Sequence, residues 1–269
     1  MGGRCAHRAF LATSPVTVSP VLAVTLRYAL IPVVFTIVGA TAGVYWPAVA
    51  RLRSHVLHLA AGVVFSVVAV ELLPEIQRRA LVWDVIWGFG AGVAAMLLVD
   101  KLLDRIRGED VGDVPGPKAS SEPARLPFSL VAAVAIDFLL DGLLLGVGFA
   151  AGARIGILLA LAEAAEQLSV GLALAGELRA ARIPAKRILL IVTALGSLVF
   201  VTAVAGATVL SRLPAGAMEI VLSFGAAALL YLVTAELLRE AHEERESASA
   251  TALFFVGFLA FLVVGMTLG

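Results

Sequence analysis

Cysteine, histidine and charge are all scarce in this sequence. The one cysteine, Cys5, excludes a disulfide within the chain and any cysteine-built zinc finger. The four histidines, His7, His55, His58 and His242, fall in tails, loops or helix ends. They read as surface residues, and no imidazole stands in the middle of an apolar run. Charged residues make up 15% of the chain, where a soluble domain carries about 25%. Twenty Lys and Arg balance twenty Asp and Glu, so the basic footprint of a nucleic-acid-binding protein is missing.

Apolar residues are abundant: 61% of the chain, with a mean hydropathy of +1.01. They come in blocks long enough to cross a bilayer, which takes roughly 20 residues each. Eight such blocks are read at 21–45, 55–76, 82–103, 126–151, 154–178, 185–210, 215–239 and 250–268. The expected fold is all-α: a polytopic membrane protein built as an eight-helix transmembrane bundle spanning 21–269. Residues 1–20 contain a short apolar piece broken by Pro15 and Pro20, and read as a tail. Residues 104–125, "DRIRGEDVGDVPGPKASSEPAR", mix both charges with Pro, Gly and Ser and read as a flexible solvated loop.

Positive charge sets the expected orientation. With both termini outside, thirteen of the twenty Lys and Arg fall in the inner loops and seven outside. That puts the 104–125 loop in the cytoplasm and predicts residence in the cell membrane. A short internal echo also exists. "VAVELLPEI" (68–76) and "VTAELLREA" (233–241) share Glu-Leu-Leu-x-Glu. It suggests a 3+2+3 arrangement of inverted repeats around blocks four and five, an organisation common in transporters.

The chemistry lies in those two central blocks. Asp137 and Asp141 are four residues apart in "AVAIDFLLDGLLLGVGFAAG" (133–152), so a helix puts both carboxylates on one face. In "LLALAEAAEQLSVGLALAGE" (158–177), Glu163 and Glu166 are three apart, with Gln167 beside them. One acid at the bilayer centre costs roughly 2.5–3.5 kcal/mol, and four cost on the order of 10 kcal/mol. No Lys or Arg in either block middle offsets that cost. The acids must be protonated, wetted or bound to a cation, and ion binding or passage is the default reading of such residues. Glu71, Glu75 and Glu236, near the ends of blocks two and seven, are weaker candidates for a cation-attracting vestibule.

"AAGVVFSVVAVELLPE" (60–75), "DFLLDG" (137–142), "AEAAEQ" (162–167) and "FGAAALLYLVTAELL" (224–238) together resemble the ZIP family of divalent metal transporters. The family has eight spans, outer termini and a cytoplasmic loop after span three. Its fourth-span motif reads His-Asn-x-x-Asp/Glu-Gly; here Asp137 stands at the His, Phe138 at the Asn, and Asp141-Gly142 match. Its fifth-span motif reads His-Glu-x-x-His-Glu; Ala162 stands at the first His, Glu163 matches, Glu166 takes the second His and Gln167 the final Glu. The resemblance implies a mid-membrane metal site of Asp137, Asp141, Glu163 and Glu166, with Gln167 accessory. Phe138 and Ala162 cannot ligate a cation, which leaves the family's second metal without those ligands. An all-oxygen set suits hard divalent ions such as Mn²⁺, and also binds Zn²⁺ and Fe²⁺.

The expected function is therefore transport of a divalent cation, zinc by family habit, toward the cytoplasm. The cation and the lipid bilayer are the partners, a homodimer is the assembly the family forms, and no cofactor is expected. A degenerate relative that binds metal or a partner without moving ions is the alternative. An intramembrane aspartyl protease is disfavoured, because its two catalytic Asp stand on different helices in Tyr-Asp and Gly-x-Gly-Asp settings. Asp137 follows Ile136, and Asp141 follows "FLL".

Overall fold

The structure is a computed structural model and describes residues 20–46, 53–111, 126–238 and 248–268. Every described segment is helical apart from short turns. Among the described residues, eight helices are long and apolar enough to span a bilayer: α1 (Pro20–Tyr45), α2 (Ser54–Arg78), α3 (Val82–Arg105), α4 (Phe128–Ala151), α5 (Ala153–Ala180), α6 (Ala185–Leu210), α7 (Ala215–Ala235) and α8 (Ser249–Thr267). The chain is thus an all-α polytopic membrane protein. At 1.5 Å per residue the 24 residues of α4 reach about 36 Å, more than the hydrocarbon thickness.

Local sequence explains the breaks. Helix α1 is interrupted at Ala29; Pro32, three residues on, lacks an N–H and crowds the carbonyl of Tyr28. Helices α4 and α5 are separated only by Gly152, so they form a tight antiparallel hairpin. Helix α5 ends with Arg182 in the left-handed region (φ 61°). The Ile183 N–H reaches back to the Leu178 carbonyl at 3.0 Å. Ile183 and Leu178 are both buried there, and Pro184 sets the start of α6. One boundary differs from expectation. The α3 helix continues to Val111, so residues 104–111 extend it instead of opening the loop. The mixed charges of this stretch, Asp104, Arg105, Arg107, Glu109 and Asp110, suit a helix emerging into water. Residues 112–125 and the tail 1–19 lie outside the described residues.

The packing order places α5 and α2 inside and α3 and α8 at the periphery: 67% and 61% of the first two spans is buried, against 17% for each of the others. Helix α1 packs along α5, α6 along α4, α8 along α2 and α7 along α3. A second tier of contacts joins α2 to α5, α1 to α6 and α4 to α5. The acid-bearing hairpin α4–α5 is therefore embraced by α1, α2 and α6.

Candidate functional site

Asp141 is fully buried on α4, and Glu163, Glu166 and Gln167 are buried on α5. Asp137, one turn before Asp141, is half-buried. Asp141 stands about 20 Å along α4 from Phe128, near mid-depth. The charges of Asp141 and Asp137 both reach Glu163. The two same-face pairs thus share one neighbourhood, on a hairpin flanked by α1, α2 and α6.

A chain of hydrogen bonds runs through it. Gln167 donates from Nε2 to Asp141 Oδ2 at 2.8 Å. Thr36 on α1 donates from Oγ1 toward Gln167 Oε1 at 3.0 Å. The same hydroxyl lies 2.8 Å from the Pro32 carbonyl, one turn back. Two further polar atoms on α5, Glu163 Oε2 and Ser169 Oγ, are buried with no hydrogen-bond partner among the described residues. A polar atom buried that way costs about 1–3 kcal/mol, more for a charge, until a proton, water or cation meets it. Among the described residues no three His, Cys, Asp or Glu side chains are gathered closely enough to hold a metal ion. The acids share a region but do not form a closed coordination sphere. Phe138 and Ala162, at ligand positions of the family motifs, are packed into the apolar core.

The outlying candidates separate. Glu71 accepts from Arg154 Nη2 at 2.9 Å, and the same Nη2 donates to the Gly265 carbonyl at 2.8 Å. This ion pair ties the start of α5 to α2 and α8. Glu75, one turn further, lines a cavity of about 100 Å³ with Ile76, Ala151, Ala215, Met218, Glu219 and Leu222. Glu219 was not singled out from the sequence, because it sits in the first turns of α7, where an interfacial acid is unexceptional. The side chain of Glu236 lies outside what is described, although its backbone falls in a π-helical stretch, Leu232–Leu237.

Two histidines need correction or detail. His58 is buried, not a surface residue; its Nδ1 donates to the Ser54 carbonyl, one turn back, at 2.8 Å. The i−4 carbonyl supplies the polar partner that lets an imidazole sit in a core. His55 is half-buried with Nε2 3.4 Å from Ser249 Oγ. His7 and His242 lie outside the described residues. Thr36, like Glu219, is a residue that sequence reasoning missed, since nothing in "PVVFTIVGATAGV" (32–44) distinguishes it from an ordinary helix threonine.

No protein-family model matches the chain, and no curated protein matches it in sequence. The likeness to the ZIP family rests on the short motifs of α2, α4, α5 and α7 alone.

Proposed function

We propose that the chain carries a divalent cation across the membrane, toward the cytoplasm, through the acids of the α4–α5 hairpin. The observation that supports this most is the burial of Asp141, Glu163 and Glu166 near the middle of their helices with no Lys or Arg in the middle of either helix. Carboxylates are retained in oil where they serve an ion path. A divalent cation arriving there exchanges for protons, offsets the acid charges and takes oxygen ligands that suit it. Glu75 and Glu219 line the cavity at one end of the bundle and would draw cations to it. Closure of the acids around the ion is part of the proposal, because they are not gathered as a ready cage.

The second reading, a membrane protein that binds metal or a partner without transport, is favoured by that open arrangement and by Phe138 and Ala162 in the core. Liposomes reconstituted with the full chain and loaded with a metal-sensitive dye separate the two. Wild type is expected to admit Zn²⁺, Mn²⁺, Fe²⁺ or Cd²⁺ down a gradient, and Asp141→Asn and Glu166→Gln to reduce uptake to background. No flux for any of the four ions would sink the transport reading.

A further inference from the structure

Resting on the transport reading, we propose that Gln167 is a positioning residue and not a ligand, and that Thr36 on α1 sets its direction. A glutamine side chain can bind a cation only through its amide oxygen. Here that oxygen is turned toward the Thr36 hydroxyl at 3.0 Å, and the amide nitrogen faces Asp141 Oδ2 at 2.8 Å. With Asp141 ionised, as it is when it holds a cation, the opposite orientation would set amide oxygen against carboxylate oxygen, two acceptors with no proton between them. Thr36 has one hydroxyl proton and two acceptors in reach, Pro32 O and Gln167 Oε1. Pro32 O already accepts in the helix ladder of α1, so the proton is worth more on the amide. All three side chains are fully buried, with Thr36, Gln167 and Asp141 each at 0% exposure. Water cannot substitute for either bond from bulk.

The backbone is built to bring Thr36 this close. A Cβ on Gly171, one turn beyond Gln167, would collide with the Thr36 carbonyl, and a Cβ on Gly39 would collide with the Leu168 carbonyl. Two glycines at one crossing press α1 against α5 at the level of the amide. The consequence for the site is specific. A neutral donor holds Asp141 in place and adds no fifth charge. A glutamate at 167, the residue of the family motif, would remove the N–H and set a carboxylate against Asp141. A ligand role predicts that Gln167→Glu strengthens cation binding; a clamp predicts the reverse.

The test uses full-length chain in detergent, titrated calorimetrically with Cd²⁺ or Mn²⁺ alone, and the same variants in liposomes. Thr36→Val, nearly isosteric but without the hydroxyl, is expected to raise Kd and KM on the order of 10-fold, the upper end of what a lost neutral hydrogen bond gives. The maximal rate should change less than about 2-fold, because uniform binding is what is lost. Thr36→Ser restores wild-type values, a rescue that a purely space-filling role would not give. Gln167→Glu weakens binding at least as much as Thr36→Val. Tighter binding by Gln167→Glu, or unchanged Kd and KM in Thr36→Val while wild type binds and transports, overturns the clamp and leaves transport standing. Absence of both binding and uptake in the wild type overturns the transport reading and the clamp together.

Discussion

Single residues fix how closely the helices of the site approach. Gly142, next to Asp141, has no room for a side chain: a Cβ there would meet Thr202 Oγ1 and the Val199 carbonyl on α6. Gly142→Ala is expected to force α4 off α6, at roughly 1–3 kcal/mol for overpacking, and to displace Asp141 with it. Thermal unfolding in detergent and metal uptake should both fall. Gly176→Ala is the control with the opposite sign. Nothing lies within 4 Å of a Cβ at that exposed position, so the change should stabilise by about 0.5–1 kcal/mol through helix propensity. Equal losses in the two variants would mean that close approach at Gly142 is irrelevant. The legibility of the site follows the same division. Acids in oil stand out, so Asp141, Glu163 and Glu166 could be read from the chain alone. Thr36 could not, because threonines in these helices routinely bond to their own i−4 carbonyl, as Thr41, Thr202 and Thr208 do. Only the α1–α5 crossing gives Thr36 a second partner.

Among whole elements, α2 and α7 share an irregularity that sequence only hinted at. The echoed segments are both π-helical, at Val68–Leu72 and at Leu232–Leu237. In α2 a proline follows directly, and Pro74 leaves the Val70 carbonyl without its usual donor. In the echoed sequence after α7 the matching residue is Arg239, so a proline is not what the two turns have in common. π-turns widen a helix by one residue and concentrate at functional sites. Glu71 sits in the first of them and is held by Arg154. The pair joins the site-bearing α5 to α2 and, through the Gly265 carbonyl, to α8. Since Arg154 is half exposed while Glu71 is mostly buried, solvent screens the attraction, and a double-mutant cycle of Arg154→Gln with Glu71→Gln should give a coupling of about 0.5–1 kcal/mol. Arg154→Gln should cost more than Glu71→Gln, because the shorter glutamine also gives up the reach to the Gly265 carbonyl. The cycle is read from melting temperatures in detergent. A coupling indistinguishable from zero would show that the two ends of α5 and α2 are held by packing alone.

At the scale of the whole molecule, the packing obeys the swap that the echo implies. Exchanging α1 with α6, α2 with α7, α3 with α8 and α4 with α5 turns the α1–α5 contact into α6–α4, and α8–α2 into α3–α7. These are the four most extensive helix pairings. Helices an odd number apart in an eight-span chain cross in opposite senses, so α2 and α7 are related by inversion, not translation. Periodicity of composition was enough to read the eight spans, with most boundaries within a few residues. The end of α3 was not, because a charged helix and a charged loop have similar composition outside the bilayer. The proposed orientation rests on the distribution of Lys and Arg, thirteen in one set of loops against seven in the other, and under the proposed transport it sets which end of the bundle would receive the cation. The cavity lined by Glu75 and Glu219 adjoins the ends of α2 and α4 and the start of α7, which that distribution assigns to the outside. Cys5 is the chain's one cysteine, so Cys5→Ser gives a background in which one introduced thiol reports its own side. Gly216→Cys, at the start of α7, should react with an impermeant maleimide added to whole cells. Lys118→Cys should react only after the cells are opened. The reverse pattern would place the Glu75–Glu219 cavity in the cytoplasm, make it an exit and not a mouth, and reverse the direction of transport proposed for the acids of α4 and α5.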